Sequence, residues 1–201
     1  MKKLIFGAAV MIGSLTYAQS FGIKAGVNVA TMSKKGYKET NARVGFNAGV
    51  FANLPLGSSF SIQPEVLYSQ QGSKTKDVIA GKEFSDVLKL DYVSIPVMFQ
   101  YKIVPQFYLE AGPEFNFLAS AKNETKLGGH TGELELDSKY FNKFNFGLGL
   151  GAGFDITSNL GVNARYVFGL TDVTKEDPTY PVVNKEKHRL GTFQAGLYYK
   201  F

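Results

Sequence analysis

Lys24, Glu65, Glu110, Glu114 and Arg165 are the residues of this chain whose chemistry most needs explaining. Each stands in a run that alternates apolar with polar side chains, so each shares a face with glycine, serine, asparagine or glutamine while the residues beside it are apolar. In a strand, that alternation sends the charges to one side and the apolar residues to the other. Counted upward from the short turns that join the runs, Lys24, Glu65, Glu110 and Arg165 fall at similar depth and Glu114 a little higher. Two chemistries suit such a cluster. Hydrated and loosely paired, it would line a narrow ion path. Tightly paired, it would be a plug of salt bridges and hydrogen bonds, because an uncompensated buried charge costs several kcal/mol.

Other reactive groups are few. The chain has no cysteine, hence no disulfide framework, thiol nucleophile or thiolate metal site. Its two histidines lie apart, His130 in a glycine-rich stretch (LGGHTG) and His188 in a charged one (NKEKHR), and neither belongs to a recognisable His-Ser or His-Asp arrangement. No enzyme activity, cofactor or metal is expected. The glycines 147, 149, 151 and 153 mimic a nucleotide-binding loop only superficially, since alternate residues are apolar and no helix follows. A net charge of +5 without a basic tract gives no track for a phosphate backbone, so nucleic acid is not an expected partner.

The elements that must position these charges are eight alternating segments: 21–31, 43–54, 60–71, 88–102, 107–118, 144–155, 160–169 and 190–201. In the last of them Phe193, Ala195, Leu197, Tyr199 and Phe201 are all apolar, opposite a mostly polar or small register. Segment 144–155 is cleaner still, with Phe144, Phe146, Leu148, Leu150, Ala152 and Phe154 against Asn145, four glycines and Asp155. Pro64 suggests a bulge in the third segment. A soluble barrel would line its cavity with the apolar face; here that face is too uniform to meet water, so it is expected to meet lipid.

Connections give the topology. Short links (55–58, 103–106, 156–159) alternate with long polar ones (32–42, 72–87, 119–141, 170–189), which is the periplasmic-turn and extracellular-loop asymmetry of outer-membrane barrels. The expected fold is all-β: an eight-stranded antiparallel up-and-down transmembrane β-barrel. Lys2 and Lys3, an apolar run 4–15 and Thr16-Tyr17-Ala18 read as a signal peptide over 1–18, leaving 19–201 as the barrel domain. Twenty-two glycines, 17 Phe and 11 Tyr are a strand-and-turn vocabulary. A barrel of eight strands is just wide enough for side chains to fill it, which favours the plug over the path.

Several stretches carry a resemblance: Phe21-Gly22-Ile23-Lys24-Ala25-Gly26-Val27-Asn28, Leu90-Asp91-Tyr92-Val93-Ser94-Ile95-Pro96-Val97, Tyr108-Leu109-Glu110-Ala111-Gly112-Pro113, Asn163-Ala164-Arg165-Tyr166, Gly169-Leu170-Thr171-Asp172 and the closing strand. The chain resembles the outer-membrane β-barrel or porin-family proteins, a group that includes the PorT-like proteins. The resemblance implies residence in outer-membrane lipid. It also implies recognition of the last strand, with Tyr199 and Phe201, by the barrel-assembly machinery. The expected role is structural or surface-interacting, as a monomer with surface or envelope partners. The alternatives are a narrow porin-like diffusion channel and a PorT-like accessory to protein secretion.

Overall fold

The computed structural model describes residues 19–33, 41–79, 82–127, 130–136, 140–175 and 188–201; the expected signal peptide lies outside them. The described residues form nine strands: β1 (Ser20–Ser33), β2 (Asn41–Pro55), β3 (Phe60–Ile79), β4 (Lys82–Val104), β5 (Phe107–Leu127), β6 (His130–Glu135), β7 (Phe144–Asp155), β8 (Leu160–Gly169) and β9 (Arg189–Lys200). All pairings are antiparallel, and eight strands close into a ring in the order β1-β2-β3-β4-β5-β7-β8-β9, with β9 returning to β1. The sixth strand pairs with β5 alone and stands outside the ring. Closure leaves the barrel itself without an edge to be capped.

The two faces separate as the alternation requires. Along β8, Gly161, Asn163, Arg165 and Val167 are buried while Leu160, Ala164, Tyr166 and Phe168 are exposed. The same holds round the wall, where Val50, Phe99, Leu150 and Leu197 are each about half exposed. An apolar band this continuous, wrapped around a polar interior, is the arrangement that hydrocarbon solvent selects.

Strand lengths differ twofold. β7, β8 and β9 have 12, 10 and 12 residues, matching the roughly 9–11 that a tilted strand needs to cross a bilayer. β3, β4 and β5 have 20, 23 and 21. Their surplus continues past the ring at the end away from the short turns. Much of the expected loops 72–87 and 119–141 is therefore strand, and β3 to β6 form a four-stranded extension. Pro64 makes no bulge: the β2–β3 register is the same on either side of it, and only the local ladder rungs are missing, as expected where the N–H is absent. The register shifts fall instead at 42/47 in β2 and at 91/92 and 102/104 in β4.

Candidate functional site: the barrel interior

The interior is filled in layers. Nearest the short turns, Phe51, Tyr108 and Tyr198 form an aromatic cluster, each about 4% exposed, with Phe51 edge-on to Tyr198 at 6.0 Å and Tyr108 at 6.5 Å from Tyr198. Glycines make the room. A Cβ added at Gly153 would lie 2.2 Å from the Tyr108 ring, at Gly161 2.2 Å from Tyr198, and at Gly22 2.3 Å from Phe51. Tyr198 donates its hydroxyl to Asp155 at 2.5 Å, and Lys200 donates to the same oxygen at 2.6 Å. Asn53, Ser61, Gln63 and Gln100 form a hydrogen-bonded layer beside these rings.

Above lies the ionic layer. The Arg165 guanidinium forks onto Glu65, with Nη2 to Oε1 at 2.8 Å and Nη1 to Oε2 at 3.1 Å, while its Nε donates to Glu110 Oε1 at 2.8 Å. Lys24 Nζ donates to both oxygens of Glu65 at 3.2 and 3.3 Å. Four strands thus contribute one residue each: β1, β3, β5 and β8. Exposure is at most 4% for all four. Bidentate pairing and complete burial are the conditions under which such a cluster holds its geometry. The glycine face of β7 again supplies the space, since a Cβ at Gly149 would approach the Arg165 stem to 3.2 Å and Met98 to 3.1 Å.

Two members of this layer escaped the sequence reading. Gln63 donates to Glu65 at 2.9 Å and Gln100 to Glu110 at 3.2 Å. Each was open to recognition: Gln63 precedes Glu65 by two on the same face, and Gln100 sits directly opposite Glu110 in the β4–β5 ladder. Glu114 is also fully buried, with Arg165 and Asn116 as electrostatic neighbours, yet neither carboxylate oxygen makes a hydrogen bond. Counting Glu114, three carboxylates face two cations. Asn28 completes the next layer, donating to Ser69 at 2.9 Å and accepting from Asn47 at 2.5 Å.

A hydrophobic cap closes the far end. Met32, Leu90, Tyr92, Ala121, Phe141, Val173 and Leu190 cluster with exposures of 8% or less. Phe141 and Val173 come from the links β6–β7 and β8–β9, which are tied together by the Phe141–Thr174 bridge and by Asn142 donating to the Asp172 carbonyl at 2.7 Å. Beneath the cap a space of about 20 Å³ remains, lined in part by Gln71, Asn116, Asn145 and Thr192, room for about one water. No alternation marks Phe141 or Val173, so nothing in the sequence singled them out.

His130 begins β6 opposite Leu127, and His188 lies just before β9, its carbonyl accepting from Val173 N–H at 2.9 Å. Among the described residues no three His, Cys, Asp or Glu gather into a metal site. Tyr199 and Phe201 point outward, 44% and 73% exposed, in edge-to-face contact at 5.7 Å; the Phe201 N–H donates to the Phe21 carbonyl at 2.8 Å and so ties the last residue to β1.

An edgeless eight-stranded ring with a polar, ion-paired interior and an apolar outer wall defines a transmembrane β-barrel. The sequence belongs to the outer membrane protein beta-barrel domain family, whose model matches residues 17–175. No curated protein sequence matches the chain. Among solved structures it is similar to Ail, the attachment invasion locus protein of Yersinia pestis, with a TM-score of 0.52 and 16% identity over 90% of this chain and 98% of that one. Ail in complex with the heparin analogue sucrose octasulfate gives a TM-score of 0.53 at 16% identity, over 91% and 99% of the two chains. Neisserial surface protein A gives 0.52 at 16% identity, over 92% and 99%. These likenesses are of fold. The protein is an outer-membrane β-barrel, and in such barrels the short turns are periplasmic and the long connections extracellular.

Proposed function

We propose that this protein is a closed barrel with a structural or surface-interaction role, whose rigid wall holds the β3–β6 extension above the membrane, and that its interior is a plug. One observation carries the reading: any path through the lumen meets the Phe51–Tyr108–Tyr198 cluster, the Arg165-centred ion layer and the Met32–Tyr92–Phe141–Val173 cap in turn. Each layer is buried and internally bonded or packed. The edgeless ring supports a monomer, and nothing in the arrangement calls for a catalytic step. Folded protein in planar lipid bilayers should give no stable conductance; reproducible single-channel steps would reverse the reading in favour of a diffusion channel.

The same reading gives Tyr199 and Phe201 to assembly. Both lie on the lipid-facing register at the short-turn end of the closing strand, where the assembly machinery could grip the strand before the ring shuts. Phe201→Ser should lower the yield of inserted barrel more than Lys122→Ala in the extension, and equal yields would remove the assignment.

A further inference from the structure

The outer wall carries a second feature, separate from the lumen. At the extracellular end, a groove of about 600 Å³ crosses from β2 to β6 and is bordered by Arg43, Lys74, Lys89 and Lys122, with Asp91 and Glu133 as its acids. It opens where β2 leaves its regular ladder with β3, between the pairs Ala42–Ser73 and Asn47–Ser69. The acids are already engaged. Glu133 is shared between Lys89 at 2.8 Å and Lys122 at 3.1 Å, and Asp91 accepts from the Tyr68 hydroxyl at 2.8 Å. Two cations keep capacity to spare: the Lys74 side chain has no hydrogen bond or ion pair among the described residues, and Arg43, 9% exposed, donates to the Gln71 carbonyl and has only a long ion pair with Asp91, at 3.9 Å. Lys89 is held by Glu124 as well, at 2.6 Å, so the four positive groups stand against three committed carboxylates and the surplus that makes an anion site rests on Arg43 and Lys74.

Position says what carries the anion. Val44, 70% exposed, lines the same groove, and Phe46 and Tyr68 follow directly below on the lipid-facing rows, their rings 5.7 Å apart. A tyrosine whose hydroxyl reaches toward charge while its ring joins an apolar band marks the bilayer interface. The cations therefore sit at the height of lipid headgroups, with an apolar track beneath for acyl chains.

We propose that this groove binds the phosphate of an outer-leaflet lipid headgroup. Arg43 and Lys74 hold the phosphate oxygens, Lys89 and Lys122 add field, and Val44 and Phe46 receive the chain. A free inorganic anion would leave the apolar half of the site unused, which commits the site to lipid.

Native mass spectrometry of the full chain, folded in neutral detergent, tests this with dioleoyl phosphatidic acid as the phosphate-bearing probe, dioleoyl phosphatidylcholine as the zwitterionic one, and inorganic phosphate as the soluble one. The wild type should retain phosphatidic acid on the order of tenfold better than phosphatidylcholine. Lys74→Gln with Lys89→Gln should remove most of that preference, while Lys143→Gln, exposed outside the groove, should keep it. Lys74→Gln alone breaks no side-chain hydrogen bond or ion pair among the described residues, so its loss of preference is not the loss of an ion pair that holds the extension. Equal retention of both lipids, or an unchanged preference in both groove variants, overturns the proposal. Displacement of phosphatidic acid by inorganic phosphate at equal concentration would also overturn it, by showing a site for soluble anions.

Discussion

Two clusters of acids and bases, which share only β5 among their strands, have nearly equal contact distances and opposite surroundings. In the lumen, Arg165 meets Glu65 and Glu110 at 2.8 Å with all three side chains fully buried. On the extracellular extension, Lys89 meets Glu124 at 2.6 Å and Glu133 at 2.8 Å, with these side chains 18% to 42% exposed. Distance alone would rank the second cluster the stronger. Surroundings reverse the order in consequence: exposed pairs trade one set of solvated contacts for another and contribute 0–1 kcal/mol at the median, whereas breaking a buried pair strands its partner in a medium that cannot solvate it. The lumen cluster is thus a device for holding one geometry, and the extension cluster a device for staying soluble.

Breaking the lumen cluster should have the largest effect. Arg165→Ala leaves Glu65 with Lys24 and Gln63, and Glu110 with Gln100 alone, at an expected cost of about 3–5 kcal/mol. Lys122→Ala should leave the unfolding midpoint in detergent close to wild type. Glu65→Gln combined with Arg165→Met should cost less than the sum of the single changes, because the pair shares one network. Comparable small effects at Arg165 and Lys122 would show that water screens the lumen and would discard the plug.

Glu114 sharpens the comparison in the other direction. It sits within the buried layer but lacks the hydrogen bonds its neighbours have, and an ionised carboxylate there would be a third negative charge opposite two positive ones. Glu114→Gln keeps the shape and removes the charge, and should raise stability by about 1–3 kcal/mol. Denaturant titration in the same detergent measures it. A loss of stability as large as that for Arg165→Ala would mean that Glu114 carries part of the ionic layer.

The contrast also explains what could be read from sequence. A strand with lipid on one side and a filled lumen on the other must alternate, so the eight segments, their faces and the depth of Lys24, Glu65, Glu110 and Arg165 could be read by counting in twos. The extension escapes that method. Its residues are no longer sorted into an apolar and a polar face, so stretches such as Gly72-Ser73-Lys74-Thr75-Lys76 are polar throughout and look like loop although β3 and β4 stay paired out to Ile79 and Lys82. Phe141 and Val173 escape for a different reason: they reach the cap from irregular links, where position in space is unrelated to parity in sequence. The groove bordered by Arg43 and Lys74 depends on a register shift in β2, which only the pairing partner reveals.

The smallest expected effect belongs to the exposed cluster and appears as a titration. Hydrogen bonds from Lys89 and Lys126 hold the Glu124 carboxyl down to about 2, and the carboxylates raise Lys89 above its ordinary value. A depressed carboxyl stabilises the folded form fully above its unfolded pKa of about 4.3, and that contribution fades as pH falls toward 2. For the raised Lys89 the sign is opposite: its contribution is complete below the unfolded lysine pKa of about 10.4 and fades as pH rises through the folded value. Between pH 5 and pH 2 the β5–β6 hairpin should therefore loosen slightly while the barrel, whose ion layer is sealed from solvent, stays intact. A carboxyl carbon-13 titration of Glu124 should show a midpoint well below 4 that moves up in Lys89→Ala, with salt reducing the difference. A midpoint near 4.3 in both proteins would mean that the ladder of exposed pairs exerts no hold on Glu124, and the extension would then owe its order to backbone pairing alone.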